Sequence, residues 1–470
     1  GRHVFQHPVF QSATVVDATT VELSFLGPIP SFKLLPAADL PMLPEHLWSG
    51  IADPRADATS LPIGTGPYRM VDYQPDASYR LEANQDYFLE TPLVDTLALS
   101  VIPDDDSAYA ALRAGEIDFV ARNVPIELTD EIERNDDLDI IGGTRNQSVY
   151  LAFNMAVPSL QNQQTRQALS LALDAHEILD VVEGGAGRLG TDTWTHPNSP
   201  FTRDATGAHL SDQLAAEQLL DAAGYPASAD GTRTGPDGQP LTFALGVNAS
   251  LANQVHAAEM VAEQLGLVGV TVRIEPLDGQ TFVAATIGNT AATPPLDMLI
   301  GELESHAHDD PDHLFFLFHS NAGGLADTFG NYANPDFDAV VESTLAQPAE
   351  SAERLQLIHD AQDILAQDLP AIALYYPAGR LAYRPSAYDG WTSDQGHGVF
   401  NKRSFLPSYA DIGVDEHAGS RPEVDSFLVP ADDGPSLVAI GGIAIAVLAG
   451  GGAAAIVIRD RRRKADAVDG

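Results

Sequence analysis

The densest set of chemistry-bearing side chains lies between residues 302 and 313. Glu302, Glu304, His306, His308, Asp309, Asp310, Asp312 and His313 offer imidazole nitrogens and carboxylate oxygens within one short stretch, the donor types that zinc and nickel accept. Their spacing fits no fixed metal motif, and a chain with 66 acids and 14 histidines generates such runs readily. Three readings stay open here: a metal or metal-chelate site, a loop in a ligand cleft, and a solvated loop. Gly185-Ala186-Gly187-Arg188-Leu189-Gly190 spells GxGxxG. A helical pattern precedes it, so the strand, turn and helix that hold a dinucleotide pyrophosphate cannot be built there. No GxxxxGK[ST], GxSxG, HExxH or DxDxDG sequence is present, and there is no cysteine. That removes a phosphate-loop ATPase, thiol catalysis, a thiolate metal site and a disulfide framework from this stretch.

The charge narrows the partners. Asp and Glu number 66 against 25 Lys and Arg, giving −41, and the lysines are Lys33, Lys402 and Lys464. No basic stripe exists ahead of the last few residues to neutralise phosphates, so no nucleic acid partner is expected. The acids are spread along the chain instead of forming blocks. That distribution suits a halophilic surface, whose self-repulsion concentrated salt screens within a few Å.

The elements that must position these groups mix strands and helices. Thr20–Phe25 alternates as a strand does, and Tyr68–Tyr73 with Ala77–Ala83 reads as a hairpin after the Gly64-Thr65-Gly66-Pro67 turn. Leu97–Ile102 is another strand, and Asp105–Ala114 a helix stopped by Gly115. Gln163–Val182 carries apolar residues at helical spacing, as does Asp212–Ala223. Phe243–Val247 and Val270–Ile274 flank a helix at Ala257–Leu265, a βαβ unit with a parallel pair. Helices at Asp336–Leu345 and Ser351–Gln367 precede a buried strand at Ala371–Tyr376. The class is α/β, without internal repeats.

The C-terminus reads differently. Residues 412–435 form an acidic linker rich in Gly, Pro and Ser, followed by an uncharged run of 23 residues, Ser436–Ile458. As a helix that run would reach about 34 Å, enough to cross a bilayer. Arg459-Asp460-Arg461-Arg462-Arg463-Lys464 then opens a basic tail, 459–470, which the positive-inside bias places in the cytoplasm. The expectation is a single-pass cell-membrane protein with its globular part extracellular. Gly1-Arg2-His3-Val4-Phe5 shows no initiator Met and no export signal, so such a signal is expected upstream. Asn146-Gln147-Ser148 and Asn248-Ala249-Ser250 fit the glycosylation pattern.

Several phrases, read in order, carry a resemblance. They are Gly64-Thr65-Gly66-Pro67-Tyr68, Leu81-Glu82-Ala83-Asn84-Gln85-Asp86-Tyr87-Phe88, Val101-Ile102-Pro103-Asp104 and Ala111-Leu112-Arg113-Ala114-Gly115-Glu116-Ile117-Asp118. Tyr150-Leu151-Ala152-Phe153-Asn154, Arg166-Gln167-Ala168-Leu169 with Ala172-Leu173-Asp174, and Asp310-Pro311-Asp312 before Leu314-Phe315-Phe316 follow. In this order the chain resembles the family 5 extracellular solute-binding proteins, the oligopeptide, dipeptide and nickel-binding components of ABC importers. The resemblance implies a two-lobed periplasmic-binding-protein-like fold of the class II type. It places a first lobe at 1–154, incomplete at its N-terminal side, a second lobe at 155–387, and a return to the first lobe at 388–411.

The resemblance also implies ligand-binding positions. Arg122 and Asn123 match cleft-lining positions of oligopeptide binders, and Arg145 and Tyr150 match positions where those binders place tyrosines. The acid that grips a peptide α-amino group would fall on His306 or Ala307, with Glu304 the nearest acid. Arginine forks suit a carboxylate or phosphate, so a ligand with an exposed anionic group is expected; local pairing of these arginines with Asp or Glu is the alternative. No catalysis and no cofactor are expected. The implied partners are a small solute, foremost a short peptide, and separate ABC permease and ATPase subunits. A metal-dependent hydrolase built on His306 and His308, and a receptor ectodomain for the same ligands, are the competing readings.

Overall fold

The computed structural model describes residues 10–32, 43–51, 61–144, 147–197, 199–203, 211–287, 295–304, 311–322, 324–393, 398–409 and 453–460. The chain divides into two compact units. Unit 1 comprises Gly1–Pro36 and Asn146–Pro377, and unit 2 comprises Ala37–Arg145 and Ala378–Gly470. The chain therefore passes between units at 36/37, 145/146 and 377/378. Within unit 1, Ser31 Oγ donates to Asp312 Oδ2.

In unit 2, β3 (Tyr68–Gln74), β4 (Ser78–Ala83) and β5 (Val94–Ile102) run antiparallel in succession. Helix α1 (Asp105–Ala114) starts where the Asp104 carboxylate accepts from Ser107 N at 2.8 Å, and ends on Gly115 at φ 73°. The left-handed conformation explains glycine at that position. β6 (Phe119–Asn123), α2 (Ile126–Glu133) and β7 (Asp139–Thr144) follow, and residues 378–383 pair with β7 and partly with β6. Val94, Leu97, Phe119, Tyr388, Trp391 and Phe405 form one core cluster of the unit.

In unit 1, β10 (Thr242–Asn248) pairs in parallel with β11 (Thr271–Leu277) across the connecting helix α6 (Ala252–Leu267), as the βαβ reading requires. β12 (Met298–Glu304) is parallel to β10 on its other side. β8 (Gln147–Phe153) is antiparallel to β12, and the first part of β13 (Ala371–Tyr383) is antiparallel to β8. The short β9 (Gly187–Leu189) pairs with residues 375–377. One sheet face packs on α3 (Gln163–Ala172), α4 (Ala175–Glu183) and α6, through Val149, Leu151, Ile300 and Tyr375. The other packs through Ala152, Leu299 and Trp194 on α8 (Asp312–Phe318), α9 (Pro335–Leu345) and α10 (Ala352–Asp368). Helix α5 (Gln213–Ala222) adds Ala216 and Leu220 to the first face, and α7 (Gly279–Ile287) adds Phe282 and Ala285 to the second. Strands buried on both faces read as unbroken apolar runs, which is the pattern of Phe243–Val247.

One expectation changes. The helix read over Gln163–Val182 is two helices, because Asp174 breaks it and caps the second by accepting from Glu177 N at 3.1 Å. The strand expected at Thr20–Phe25 is β2 (Val21–Phe25), which pairs with β1 (Phe10–Val15) in a separate two-stranded sheet.

Most of the run expected to cross the membrane lies outside the described residues. Residues 436–452, the linker 412–435 and the tail beyond 460 lie outside the described residues. Ala453–Asp460 forms β14, which sits between β5 and β6 and runs antiparallel to both. Among the described residues no helix is long and apolar enough to cross a membrane. Ala, Ile and Val suit a strand as well as a lipid-facing helix, and an apolar run carries no periodicity to separate the two.

Candidate functional site

On the second face of the unit 1 sheet, the register sets Tyr150 opposite Gly301 and Ser148 opposite Leu303. Gly301 is needed there because a Cβ would come within 2.5 Å of the Tyr150 ring and hydroxyl. The Tyr150 ring lies 5.5 Å from that of Trp194, which meets Phe318 edge-on at 4.9 Å. Burial pushes the Tyr150 phenol up, with Glu302 adding to it. Ser148 is fully buried and its Oγ has no hydrogen-bond partner.

Trp194 occupies the left-handed region at φ 60° while buried. A bulky residue holds that conformation only where its surroundings over-determine it, and such positions cluster at functional sites. Here buried threonines supply the constraint. Thr191 Oγ1 donates to Thr195 O at 2.9 Å, Thr193 Oγ1 donates to Thr191 Oγ1 at 3.0 Å, and Thr202 Oγ1 donates to Thr195 Oγ1 at 2.7 Å. Tyr376 OH donates to Thr195 O at 3.1 Å. Sequence reasoning missed Trp194; its signal was a tryptophan, one of three in the chain, set among threonines in a segment between two helices.

The GxGxxG run leads from the end of α4 into β9. Gly184 caps α4 in the left-handed region, Gly185 sits at φ 74°, and Gly190 lies against the Ala373 carbonyl where a Cβ would overlap.

The loop also places His196 face to edge with Tyr376 at 4.8 Å. Burial, with Arg188 contributing, lowers its pKa from 6.5 to about 4. A base depressed on folding stabilises the fold fully above pH 6.5 and loses that contribution as pH falls toward 4, because the unfolded chain takes the proton first. His196→Phe is expected to flatten the unfolding free energy between pH 6.5 and 4 by roughly 3 kcal/mol relative to the parent. Denaturant melts of both proteins at each pH check this.

Of the six expected site residues, Arg122 and Asn123 lie in unit 2 and Tyr150 and Glu304 in unit 1. Arg122, in unit 2, gives Nη1 to Asp105 Oδ1 at 2.6 Å and Nη2 to the Ile102 carbonyl at 2.7 Å, the local pairing foreseen as the alternative. Asn123 Oδ1 accepts from Arg380 N at 3.3 Å. Arg145 and His306 lie outside the described residues, as do His308, Asp309 and Asp310. Glu304 ends β12, its backbone paired with Gln147. Asp312 turns inward: its Oδ1 accepts from Arg354 Nη2 at 2.6 Å, both side chains being largely buried. Among the described residues no group of three or more His, Cys, Asp or Glu is placed to hold a metal ion.

Comparison with known proteins places this geometry. The sequence model for the bacterial extracellular solute-binding proteins, family 5 Middle, matches residues 4–324. The oligopeptide-binding protein AppA of Bacillus subtilis is 27% identical over 375 residues, which is 77% of this chain and 65% of AppA. The di/tripeptide-binding protein 1 of Pseudomonas aeruginosa is 25% identical over 71% of this chain and 59% of its own length. Heme-binding protein A of Haemophilus influenzae is 27% identical over 73% of this chain and 59% of its length. The chain thus spans less than two thirds of these relatives. Among solved structures, B. subtilis AppA in complex with a nonapeptide superposes with TM-score 0.71 at 24% identity, over 85% of this chain and 78% of that one. NikZ of Campylobacter jejuni in complex with Ni(L-His) gives TM-score 0.71 at 23% identity, over 84% and 77%. These likenesses show an α/β, two-lobed periplasmic-binding-protein-like fold. The chain belongs to the bacterial extracellular solute-binding proteins of family 5.

Proposed function

We propose that the protein is the extracellular substrate-binding component of an ABC importer, which takes a peptide or similar small solute and hands it to a separate permease and ATPase. The observation that carries this reading is the family match over residues 4–324, which covers strands of both units. Relatives named for oligopeptides, di- and tripeptides and heme set the range of solutes, with peptides foremost. Binding and release need no covalent step, so no catalytic group is invoked. Tyr150 and Trp194 supply an apolar wall for such a solute, and Glu304, Arg145, His306 and Asn123 keep the roles that the resemblance assigns. Arg122 keeps its assigned role too, its guanidinium oriented by Asp105 Oδ1 at 2.6 Å. The test is thermal unfolding against short peptides, oligosaccharides, heme and nickel chelates. A selective rise with peptides supports the reading, and a rise only with sugars or only with metal refutes the peptide assignment.

The same reading includes attachment to the membrane through Ser436–Ile458, supported by its uncharged length and the bases after it. In that state residues 453–458 leave β14. Resistance of the full chain to alkaline carbonate extraction from membranes is expected, and its release would refute the anchor. The charge of −41 further supports a halophilic protein. Melting temperature is expected to climb by 10 °C or more, an order-of-magnitude figure, between about 0.1 M and 2 M KCl as screening suppresses self-repulsion.

A further inference from the structure

In unit 2 the consecutive side chains of Phe88 and Leu89 are 54% and 48% exposed. The Phe88 ring meets that of the buried Tyr87 at 4.7 Å. Burial, with Tyr409 beside it, pushes the Tyr87 phenol up. The Arg403 guanidinium lies over the Tyr409 ring at 5.6 Å, and Lys402 precedes it in the short helix Lys402–Phe405. Hydrogen bonds stitch the two segments together: Ser408 N donates to Glu90 Oε2 at 2.9 Å, Ser408 Oγ donates to Glu90 Oε1, and Leu93 N donates to Phe405 O at 2.8 Å.

Exposed aromatic and aliphatic side chains next to bases suit the headgroup layer of a bilayer, where rings settle at the interface and cations meet lipid phosphates. With 66 acids against 25 bases, most of this chain's surface does not offer that combination. Asp86, the exposed acid of the loop, is screened within a few Å by molar salt. The place of the patch along the chain favours the same partner. Residues 398–409 are the last described before the linker, and residues 410–435 separate them from Ser436–Ile458, the run proposed to cross the bilayer. A tether there makes contact between patch and bilayer an intramolecular event, for which the weak affinity of a few side chains is enough.

We propose that Phe88 and Leu89, with Lys402 and Arg403 near them, rest in the headgroup layer of the membrane that holds the chain; this rests on the membrane attachment proposed above. Unit 2 then touches lipid directly as well as through its tether.

The chain has no cysteine, so Leu89→Cys carries a single environment-sensitive dye, and Leu214→Cys, at an exposed leucine of unit 1, carries it as the control. The full chain is reconstituted in molar KCl into vesicles of phosphatidylglycerol and phosphatidylcholine, with and without bromine on the acyl chains near the headgroups. Brominated lipid should quench the dye at position 89 about threefold more than at 214, and Phe88→Asp should remove the difference. Equal quenching at both positions of a chain that resists carbonate extraction overturns the patch while the anchor stands. Should carbonate release the chain, the anchor fails on its own, and the labelled proteins mixed with the same vesicles decide the patch. Quenching at 89 alone then supports it, and none overturns it. A dye at 89 that responds only in membranes containing other proteins assigns the patch to a protein partner and overturns the lipid contact.

Discussion

Replacing Asp312 by alanine is expected to lower the unfolding free energy by about 3–5 kcal/mol, the range for removing one partner of a buried ion pair. Arg354 Nη2 donates to Asp312 Oδ1 at 2.6 Å, Ser31 Oγ donates to its other oxygen, and Arg354 Nη1 donates to Ala349 O at 3.2 Å. The arginine, nearly devoid of exposure, also stacks over Phe201 at 5.9 Å. Without the carboxylate a guanidinium would be left buried and uncompensated. Arg354→Met with Asp312→Leu should recover most of the loss, because removing both charges removes the desolvation penalty too. Denaturant midpoints of the parent, single and double variants separate these outcomes. A loss under 1 kcal/mol for Asp312→Ala would return Asp312 to the solvated or ligating roles read from its neighbours in sequence.

Gly190→Ala is expected to cost roughly 3 kcal/mol, at the upper end of overpacking. The Gly190 amide donates to Leu374 O at 3.0 Å, and its Cα lies so close to the Ala373 carbonyl that a methyl group has no space. The change would lift the segment that carries Trp194 off β13, so solute affinity should fall with stability. Gly266, in the middle of the last turns of α6, is the control: a Cβ there meets nothing within 4 Å. Gly266→Ala should stabilise the protein by about 0.5–1 kcal/mol through helix propensity alone. Thermal melts of the two variants in molar salt check the opposite signs.

Local signals were readable along most of the chain. Asp104, Asp212, Asn334 and Ser351 each cap a helix that the periodicity had located, and Gly115 ends one. The βαβ pair at 242–277 followed from pattern alone. What the sequence left open depended on partners distant along the chain. Asp312 sat in a run that looked like ligands, but Arg354 is 42 residues away and Ser31 281, so spacing could not reveal their pairing. Arg122 found Asp105 across a strand and a helix, separated by 17 residues. Trp194 gave no periodic signal because its conformation is set by hydroxyl bonds within a loop. The run ending at Ile458 was ambiguous between helix and strand because its composition satisfies both environments.

The account stands or falls on reversible solute binding. The most direct measurement is equilibrium dialysis of the full-length protein in molar KCl against a mixed pool of di- to pentapeptides, with mass spectrometry of the retained material. The account predicts saturable retention of intact peptides, about one per chain. Recovery of cleaved peptides, or a protein that retains none of the pool while remaining folded, would contradict it.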